Sequence, residues 1–446
     1  MLVLKFGGTS VGSVENIEKV KTIVDDNAPK IVVLSAMSGS TNNLVAIAEA
    51  ILHNQTEAAL KLIAQLKEKN KQTAYHLIQN SSVLQEVVNY INQIDNTLLS
   101  FTHNNSIPNF QNTVLAQGEL FSTFLVNAYL NEQGIASSII PALDFMRVDK
   151  EGEPDLFYIQ QNIKRLLSQQ KDTQIFITQG FISLDARGEV TNLQRGGSDY
   201  TATIIGAAIK AEEVQIWTDI DGFHNNDPRF VENTYSIPQL SFDEAAELAY
   251  FGAKILHPQT VLPVRALDIP VRLKNTMQPE AEGTLISNEI SSEGIKAIAA
   301  KDGITVIKIK SERMLLAHGF LKRVFEIFEK YQTAIDMVTT SEIAVSLTID
   351  NTQFLDEIVA ELEKFSAVTV EDKMSIVCLA GNNIVNHPET SKLFQILNDV
   401  SIRMIAYGGS NNNISLLINT QDKPNTLQQL NHYIFKTQVA SVAPSV

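Results

Sequence analysis

The sequence lacks several features that would assign it to common functional classes. Its one cysteine, Cys378 in the apolar run "MSIVCLA", excludes an internal disulfide and favours a buried core residue over a nucleophile. The net charge of −15 and the absence of a basic run argue against a nucleic-acid surface. No segment approaches the roughly 20 apolar residues that span a bilayer, and the short first apolar stretch is not typical of a signal peptide. We therefore expect a cytoplasmic protein that binds neither nucleic acid nor membrane.

Common catalytic signatures are also missing. No Cys/His cluster has metal-ligand spacing, and neither a G-x-S-x-G elbow nor a Ser-His-Asp order occurs. His257 precedes Pro258, which is typical of a packing or capping residue. The sequence thus offers no obvious catalytic histidine.

The first 295 residues alternate between short β-rich runs and helical stretches. The β-rich runs are apolar, β-branched and bounded by Gly, Ser, Asp or Pro, as buried strands are. They are "KIVVLSA", "QIFITQGFI", "EVQIWTDI" and "IPVRLKN". Helical patterns such as "SDYTATIIGAAIKA" and "FDEAAELAYFGAKIL" lie between them, and residues 43–105 form a long helix-favouring excursion. This alternation predicts an α/β fold, a mainly parallel sheet covered by helices.

After "SSEGIKAIAAKDG" the pattern changes, and one β-α-β-β order appears twice. The first copy comprises "ITVIKIKS", "LKRVFEIFEKY", "AIDMVTTS" and "IAVSLTID", and the second "SIVCLAG", "SKLFQILND", "SIRMIAYGG" and "NISLLIN". Two copies of one unit predict paired small α+β modules rather than a long solenoid. We therefore predict one domain at 1–295 and a second region at 296–446. In that region a first module, about 310–372, is inserted into a second, about 296–309 plus 373–440.

Four polar, glycine-bearing stretches follow predicted strands, where α/β sheets bind ligands. They are "KFGGTS", "SAMSGSTNNL", "LQRGGSDYTA" and "WTDIDGFHNNDPR". Glycines let the backbone approach a phosphate, and the helix N-termini that follow add partial positive charge. In the first stretch Lys5 precedes the glycines, whereas the lysine of a Walker P-loop follows them. Each stretch alone is compatible with a tight turn or a helix cap, but together they predict one anion-binding crevice.

Six motifs in order give the sequence a specific resemblance. "KFGGTSV", "TQGFI", "RGGSDYTA", "WTDIDG", "DPR" and "FGAKILHP" occur in the order seen in aspartate kinases, which have the amino-acid-kinase fold. The resemblance runs from residue 1 to about 435, and the two C-terminal modules resemble the ACT domains that follow the kinase in the monofunctional enzymes. It implies transfer of the γ-phosphoryl group of ATP, with Mg²⁺, to the β-carboxylate of L-aspartate. The product, 4-phospho-L-aspartate, opens the pathway to lysine, threonine and methionine.

The resemblance also implies a set of site residues. Lys5 would neutralise charge on the transferring phosphoryl group, and Asp199 would orient Lys5. Arg195 would bind the α-carboxylate of aspartate bidentately, and Glu119 its α-ammonium. The other aspartate-pocket residues would be Ser35, Thr41, Phe181 and Ser198. The ATP site would comprise Lys5, Gly7, Gly8, Ser10, Thr218, Asp219, His224, Arg229 and Lys254. Many relatives carry a tyrosine where His224 stands, a departure that concerns how the adenosine is contacted.

The ACT-like half is implied to regulate rather than to catalyse. Such modules pair side by side and bind an amino acid, which implies a homodimer or a dimer of dimers. Asp336 and Glu342 could bind the two ammonium groups of lysine, although both acids could instead only cap turns. The candidate effector residues are Met314, Ala317, His318, Gly319, Leu321, Asp336, Ser341 and Glu342. The resemblance therefore implies feedback inhibition by lysine, with threonine as the alternative effector.

Three alternative functions remain open from the sequence. Another acid kinase of the same fold, acting for example on glutamate, would keep the ATP loops and change the acceptor pocket. A non-catalytic amino-acid sensor would keep the ACT modules beside a dead kinase half, although Lys5, Arg195 and Asp199 are all present. The third is the kinase half of a fused kinase–dehydrogenase. We expect no dehydrogenase activity here because the sequence has no dinucleotide-binding fingerprint.

Overall fold

The computed structural model describes the chain apart from residues 27, 104–108, 171–172, 194–195, 252–255, 290–291, 312–317 and 442–446. The chain divides into two compact units. The first comprises Met1–Phe223, Pro238–Phe242 and Leu256–Glu289, and the second comprises His224–Ile237, Asp243–Ile255 and Ile290–Val446. None of the helices in the described parts of the chain is long and apolar enough to cross a membrane.

An eight-stranded sheet forms the centre of the first unit. Its strands and those of a separate two-stranded sheet are β1 (Leu2–Phe6), β2 (Lys30–Leu34), β3 (Ser137–Ile139), β4 (Ile175–Gln179), β5 (Ile182–Leu184), β6 (Val190–Asn192), β7 (Val214–Thr218), β8 (Gln239–Ser241), β9 (Val271–Asn275) and β10 (Thr284–Ser287). The sheet order is β3-β4-β2-β1-β7-β9-β10-β8, and β5 pairs with β6. Every pair in the large sheet is parallel except β9 with β10. The predicted mainly parallel sheet is confirmed.

Helices flank this sheet in the order that the hydrophobic pattern predicts. They are α1 (Val14–Val24), α2 (Ser40–Leu52), α3 (Thr56–Leu77), α4 (Ser81–His103), α5 (Phe110–Glu132), α6 (Leu156–Ser168), α7 (Gly197–Ile209) and α9 (Leu262–Arg265). Helix α8 (Phe242–Tyr250), which precedes α9 in the chain, belongs to the second unit from Asp243 onward. The predicted helical excursion is confirmed as α2, α3 and α4. Its apolar residues, such as Leu44, Ile63 and Val87, pack into one core with Phe6 and Leu34 from the sheet.

A six-stranded antiparallel sheet forms the second unit, in the order β12-β13-β11-β14-β16-β15. Its elements are β11 (Gly294–Lys310), α10 (Phe320–Lys330), β12 (Val338–Thr340), β13 (Ala344–Ile349), α11 (Leu355–Leu362), β14 (Ala367–Asn382), α12 (Leu393–Ile396), β15 (Met404–Tyr407), β16 (Asn413–Asn419) and α13 (Lys423–Ser441). One core contains Ile307, Phe328 and Leu347. A second contains Leu379 and Leu416. Two cores along one sheet confirm the predicted pair of α+β modules.

Several elements of this unit differ from the prediction. The strand predicted at "ITVIKIKS" is the second half of the 17-residue β11, which continues across Gly303 with a shift in its pairing to β14. The helix predicted at "SKLFQILND" is only the short α12, because a 3-10 turn at Pro388–Lys392 occupies the preceding residues. Helices α11 and α13 were not predicted. The periodicity was read correctly where the apolar stripe was long and unbroken, as in α10.

Candidate functional site

Lys5 and Asp199 form a partly buried ion pair in the first unit. Lys5 lies near the end of β1, and its Nζ is 2.6 Å from Oδ1 of Asp199 in the first turn of α7. Their side chains are 11% and 16% exposed, so the pair is held in a site that excludes most water. The two residues are brought together because β1 and the start of α7 meet at the carboxyl edge of the sheet, where α/β proteins bind ligands. The predicted partnership of Lys5 and Asp199 is therefore present.

Glycines after Lys5 allow two loops to approach each other. A Cβ added at Gly8 would lie 2.8 Å from the carbonyl oxygen of Ala36, which follows β2. A Cβ at Gly7 would lie 3.5 Å from Nζ of Lys5. The "KFGG" stretch is thus a close contact between the first and second strand-to-helix loops, and it leaves the Lys5 ammonium beside bare backbone.

A cavity of about 380 Å³ opens between these loops. It brings together six of the residues predicted for the substrate and phosphate sites. These are Gly8, Ser35, Thr41, Glu119, Phe181 and Ser198. The other lining residues were given no individual role, although all of them lie in the glycine-bearing stretches predicted to form the crevice: Thr9, Ala36, Met37, Ser38, Gly39, Asn42 and Gly197. Most of these belong to "SAMSGSTNN", whose glycine-bearing position after a buried strand was the available signal.

Two helices begin at this cavity. Gly39 precedes α2 with φ 77°, and Gly196 precedes α7 with φ 66°, conformations that favour glycine. The first backbone N–H groups of a helix have no partner within the helix and carry partial positive charge. The cavity lining therefore includes the starts of two helices and Gly8, and the Lys5 ammonium lies beside the neighbouring Gly7. Helix N-termini near an ammonium group suit an anionic ligand.

Glu119, on α5, is the buried acid of this cavity. It is 5% exposed, and its Oε1 accepts a hydrogen bond from the backbone N–H of Ala36 at 3.1 Å. Burial raises the pKa of Glu119 to about 7, although the Ala36 hydrogen bond opposes the shift. A carboxylate held in this way gains from a ligand cation, such as an ammonium group.

Phe181 shapes the floor of the cavity in a strained conformation. Its φ is 69°, which is rare for a residue with a side chain, and its N–H donates to Oγ1 of Thr201 at 2.9 Å. A Cβ added at Gly197 would lie 2.8 Å from the Phe181 ring, and one at Gly180 would lie 2.4 Å from Ser198. The corner after β4 and the start of α7 are therefore packed as closely as glycine permits, which fixes Ser198 at the cavity.

Other predicted nucleotide-site residues of the first unit lie at the same sheet edge. Thr218 ends β7, the neighbour of β1, and its hydroxyl donates to Oδ1 of the exposed Asp219 at 3.1 Å. The hydroxyl of Ser10 is fully buried and is 2.7 Å from that of Thr276. Because the Ser10 hydroxyl is already hydrogen-bonded to that of Thr276, the part of Ser10 left to contact a phosphate is its backbone.

The remaining predicted nucleotide residues are in the second unit or outside the described residues. His224 contacts Oγ1 of Thr234 through Nδ1 at 3.0 Å. The Arg229 guanidinium binds both oxygens of Asp227, with Nη2 2.7 Å from Oδ2, and its side chain is 78% exposed. Arg195 and Lys254 lie outside the described residues.

The candidate effector residues fall into two groups. Met314 and Ala317 lie outside the described residues, whereas Gly319 is the φ 85° residue before α10, with exposed His318 and Leu321 on either side. Ser341 and Glu342 are exposed in the turn after β12. Asp336 differs from all of these, because its side chain is 2% exposed and is already hydrogen-bonded.

Comparison with known proteins gives a consistent result. Residues 1–275 match the model of the amino acid kinase family, and residues 377–433 match an ACT domain. The chain is 34% identical to lysine-sensitive aspartokinase 3 of Escherichia coli, covering 98% of this chain and 99% of that protein. It is also 34% identical to the chloroplastic aspartokinase 2 of Arabidopsis thaliana, covering 98% of this chain and 84% of that protein. The chain belongs to the aspartokinase family.

Solved structures of the family have the same fold. The structure of E. coli aspartokinase III with lysine and aspartate, a T-state, matches with a TM-score of 0.83 at 32% identity, over 98% of this chain and 99% of that one. The R-state structure of that enzyme with aspartate and ADP matches with a TM-score of 0.82 at 33% identity, over 98% and 100%. The predicted amino-acid-kinase fold followed by ACT domains is therefore confirmed. The chain is an ATP-dependent kinase, and such kinases in general work with a divalent metal bound to the nucleotide.

Proposed function

We propose that this aspartokinase-family chain transfers the γ-phosphoryl group of ATP to the β-carboxylate of L-aspartate, giving 4-phospho-L-aspartate. The observation that carries the proposal is the Lys5–Asp199 ion pair beside a cavity that holds the buried Glu119. The two helix N-termini and Lys5 suit a phosphate, and Glu119 suits an ammonium group. An amino acid with a second carboxylate would present both its ammonium and its acceptor oxygen there.

In the proposed mechanism no strong base is needed. The β-carboxylate of aspartate has an ordinary pKa of about 3.9, so it is already ionised near neutral pH. The task is to hold two anions together in line and to stabilise the developing charge. Lys5 supplies the positive charge, and Asp199 fixes the direction of its ammonium group without taking a proton.

We assign substrate selection to the predicted aspartate-site residues. Glu119 binds the α-ammonium, and Arg195 binds the α-carboxylate because a guanidinium matches a carboxylate bidentately. Ser35, Thr41, Phe181 and Ser198 shape the pocket. Replacing Arg195 with Ala is expected to raise the KM for aspartate far more than the KM for ATP.

We propose that Mg²⁺ is the divalent metal and that the predicted ATP-site residues bind the nucleotide. The described residues include no group of three or more His, Cys, Asp or Glu placed to hold a metal ion. The exposed carboxylate of Asp219 beside the Thr218 hydroxyl offers the oxygen donors that Mg²⁺ prefers. These residues fit a metal that is held mainly by phosphate oxygens, with the protein supplying one or two contacts. When bound, the metal would supply positive charge that offsets the charge of the phosphates.

We also propose that residues 1–295 form the catalytic domain and that the region from 296 onward regulates it as a homodimer or a dimer of dimers. Lysine is the proposed effector, bound at the predicted site that includes Asp336, with threonine as the alternative. The similarity to a lysine-sensitive enzyme over nearly the whole chain supports this choice.

The first test is to trap the acyl phosphate with hydroxylamine. Purified protein is given Mg-ATP, an acid and hydroxylamine, and the hydroxamate is measured with and without lysine or threonine. Aspartyl hydroxamate that lysine suppresses is the expected result. Product from glutamate and none from aspartate would move the chain to another acid specificity. No product from either acid, in protein that binds lysine, would indicate the non-catalytic sensor.

A further inference from the structure

One face of helix α8 is hydrogen-bonded to other parts of the second unit at three points. Glu244, Glu247 and Tyr250 are three residues apart in sequence and therefore lie along one side of the helix. The Glu244 carboxylate is fully buried and pairs with Lys296 of β11 at 2.7 Å. Glu247 accepts a hydrogen bond from the side-chain amide of Asn413 in β16. Tyr250, the last residue of α8, donates its hydroxyl to Oδ1 of Asp336 at 2.8 Å.

The third point differs from the other two because it contains a candidate effector residue. Oδ1 of Asp336 also accepts from Nζ of Lys301 at 2.9 Å, and that ammonium lies 4.7 Å from the centre of the Tyr250 ring. Lys301 has a second carboxylate partner, because Oδ2 of Asp350 is 2.8 Å from its Nζ. The backbone N–H of Asp336 is fixed to the carbonyl of Thr348 at 2.9 Å, so the carboxylate is held in place.

Asp336 has one carboxylate oxygen to spare. Its side chain is 2% exposed, and among the described residues Oδ2 has no hydrogen-bond partner. A buried carboxylate oxygen without a donor is unfavourable, and a ligand ammonium would satisfy it. An ammonium at Oδ2 would stand close to that of Lys301, and the two like charges would repel. Lys301 can then remain with Asp350 alone.

We infer that Tyr250 and Lys301 are positioning residues that couple ligand binding at Asp336 to the position of the end of helix α8. An effector ammonium on Oδ2 displaces Lys301 toward Asp350 and weakens the hold of Oδ1 on the Tyr250 hydroxyl. Tyr250 precedes the proposed nucleotide residue Lys254 by four residues in the chain. This inference rests on the proposed lysine regulation at Asp336. It adds the residues through which a bound amino acid lowers kinase activity. Because coupling between two sites is reciprocal, the same residues also affect the affinity for the effector.

The decisive variant is Tyr250→Phe, which keeps the ring and removes the hydroxyl. The matched control is Tyr407→Phe in β15, whose hydroxyl donates to the carbonyl of Val385 at 2.6 Å. Tyr250 and Tyr407 are 42% and 49% exposed, so each variant loses one comparable hydrogen bond. L-Lysine binding is measured by calorimetry and inhibition by the hydroxamate assay, both on the full chain.

Tyr250→Phe is expected to bind lysine within about threefold of the wild-type affinity, while the activity that remains at saturating lysine rises at least about tenfold, a coupling change of about 1.4 kcal/mol. Tyr407→Phe is expected to match the wild type in both measurements. Wild-type inhibition of Tyr250→Phe would overturn the inference and leave the lysine proposal intact. A wild-type enzyme that makes aspartyl phosphate and neither binds nor responds to lysine would overturn both.

A second variant tests the alternative partner of Lys301. Asp350→Asn removes the carboxylate that receives Lys301 when an effector ammonium arrives, without touching Tyr250 or Asp336. The dissociation constant for lysine is expected to rise at least about threefold, because displacing Lys301 becomes less favourable. An unchanged or lower dissociation constant would contradict the exchange of Lys301 between the two carboxylates.

Discussion

The two units treat a buried glutamate in opposite ways. In the second unit, Glu244 is fully buried and pairs with Lys296 at 2.7 Å, so its charge is compensated within the protein. In the first unit, Glu119 is 5% exposed and accepts one hydrogen bond from a backbone N–H, and none of the ion pairs among the described residues includes it. Both carboxylates are buried, but among the described residues only Glu244 has a cation as its partner. Glu244 therefore stabilises the structure, whereas Glu119 is suited to bind a ligand cation.

The same contrast applies to the two buried lysine–carboxylate pairs. Lys5–Asp199 and Lys296–Glu244 have nearly equal lengths, 2.6 and 2.7 Å, and lysines of similar exposure, 11% and 10%. The surroundings differ. Lys5 lies beside Gly7, and its partner Asp199 is in the first turn of α7, which begins at the cavity. Glu244 instead lies on the face of α8 that is bonded to the six-stranded sheet. Ion-pair geometry alone therefore does not reveal function, whereas a neighbouring cavity with free helix N-termini does.

The largest expected effect comes from removing the Lys5 ammonium. Lys5→Met is expected to lower kcat at least about a thousandfold, because a positioned charge on a transferring phosphoryl group is worth several kcal/mol. The thermal midpoint should fall only modestly, because the slightly shorter methionine side chain fills most of the space and the unpaired Asp199 is still 16% exposed. Steady-state hydroxamate kinetics and thermal unfolding measure the two quantities.

Lys67→Met is the matched control for Lys5. Lys67 pairs with Asp95 at 2.6 Å between α3 and α4, in the same unit and outside the cavity lining. That variant should keep kcat within about twofold, because neither Lys67 nor Asp95 lines the cavity. Near-wild-type turnover of Lys5→Met would remove the phosphoryl role from Lys5.

The reverse pattern is expected for the structural pair. Glu244→Gln leaves the buried Lys296 without its counter-charge, so the free energy of unfolding of the second unit should fall by about 3 kcal/mol. Uninhibited kcat should fall far less than in Lys5→Met. Denaturant unfolding measures the loss, with Glu361→Gln as control, since Glu361 pairs with the exposed Lys330. Equal destabilisation by both variants would mean that burial of the Glu244 pair does not matter.

The sequence was sufficient for features that depend on local pattern. The run "KIVVL" became β2 with every residue buried, and "LKRVFEIFEKY" became α10 with Val324, Ile327 and Phe328 in a core. The residues around the cavity were predicted through the resemblance, which implied roles for Ser35, Glu119, Phe181 and Ser198. Their roles stay predictions, but their assembly around one cavity is what the order of the motifs required.

Contacts between residues far apart in the chain could not be predicted from the sequence. Nothing near Tyr250 signals that its hydroxyl meets Asp336, 86 residues later, or that Lys301 shares the same oxygen. The length of β11 was missed for a different reason. Its middle contains the exposed Asp302 and Gly303, which read as a turn, whereas the structure continues the strand through a register shift.

The smallest expected effect, and the one most specific to the comparison of glutamates, is a pH dependence of aspartate binding. Without ligand, burial raises the pKa of Glu119 to about 7, so below that pH the carboxyl is mostly neutral. Binding an ammonium group requires the ionised form, and the proton must then be released. The KM for aspartate should therefore rise as pH falls below 7, by up to about tenfold per unit, which corresponds to about 1.4 kcal/mol. The β-carboxylate of the substrate stays ionised throughout this range, so kcat should change much less.

Glu119→Gln is the control, since a glutamine cannot titrate. Its KM for aspartate should be high at every pH between 5.5 and 8, and its profile should be flat. Stability gives an independent check with its own sign. Because the raised pKa means that the folded protein holds more protons than the unfolded chain between pH 4.5 and 7, the wild type should lose stability relative to Glu119→Gln as pH rises through that window. A flat wild-type KM profile would show that Glu119 has a resident cation after all, which would make it the same kind of group as Glu244.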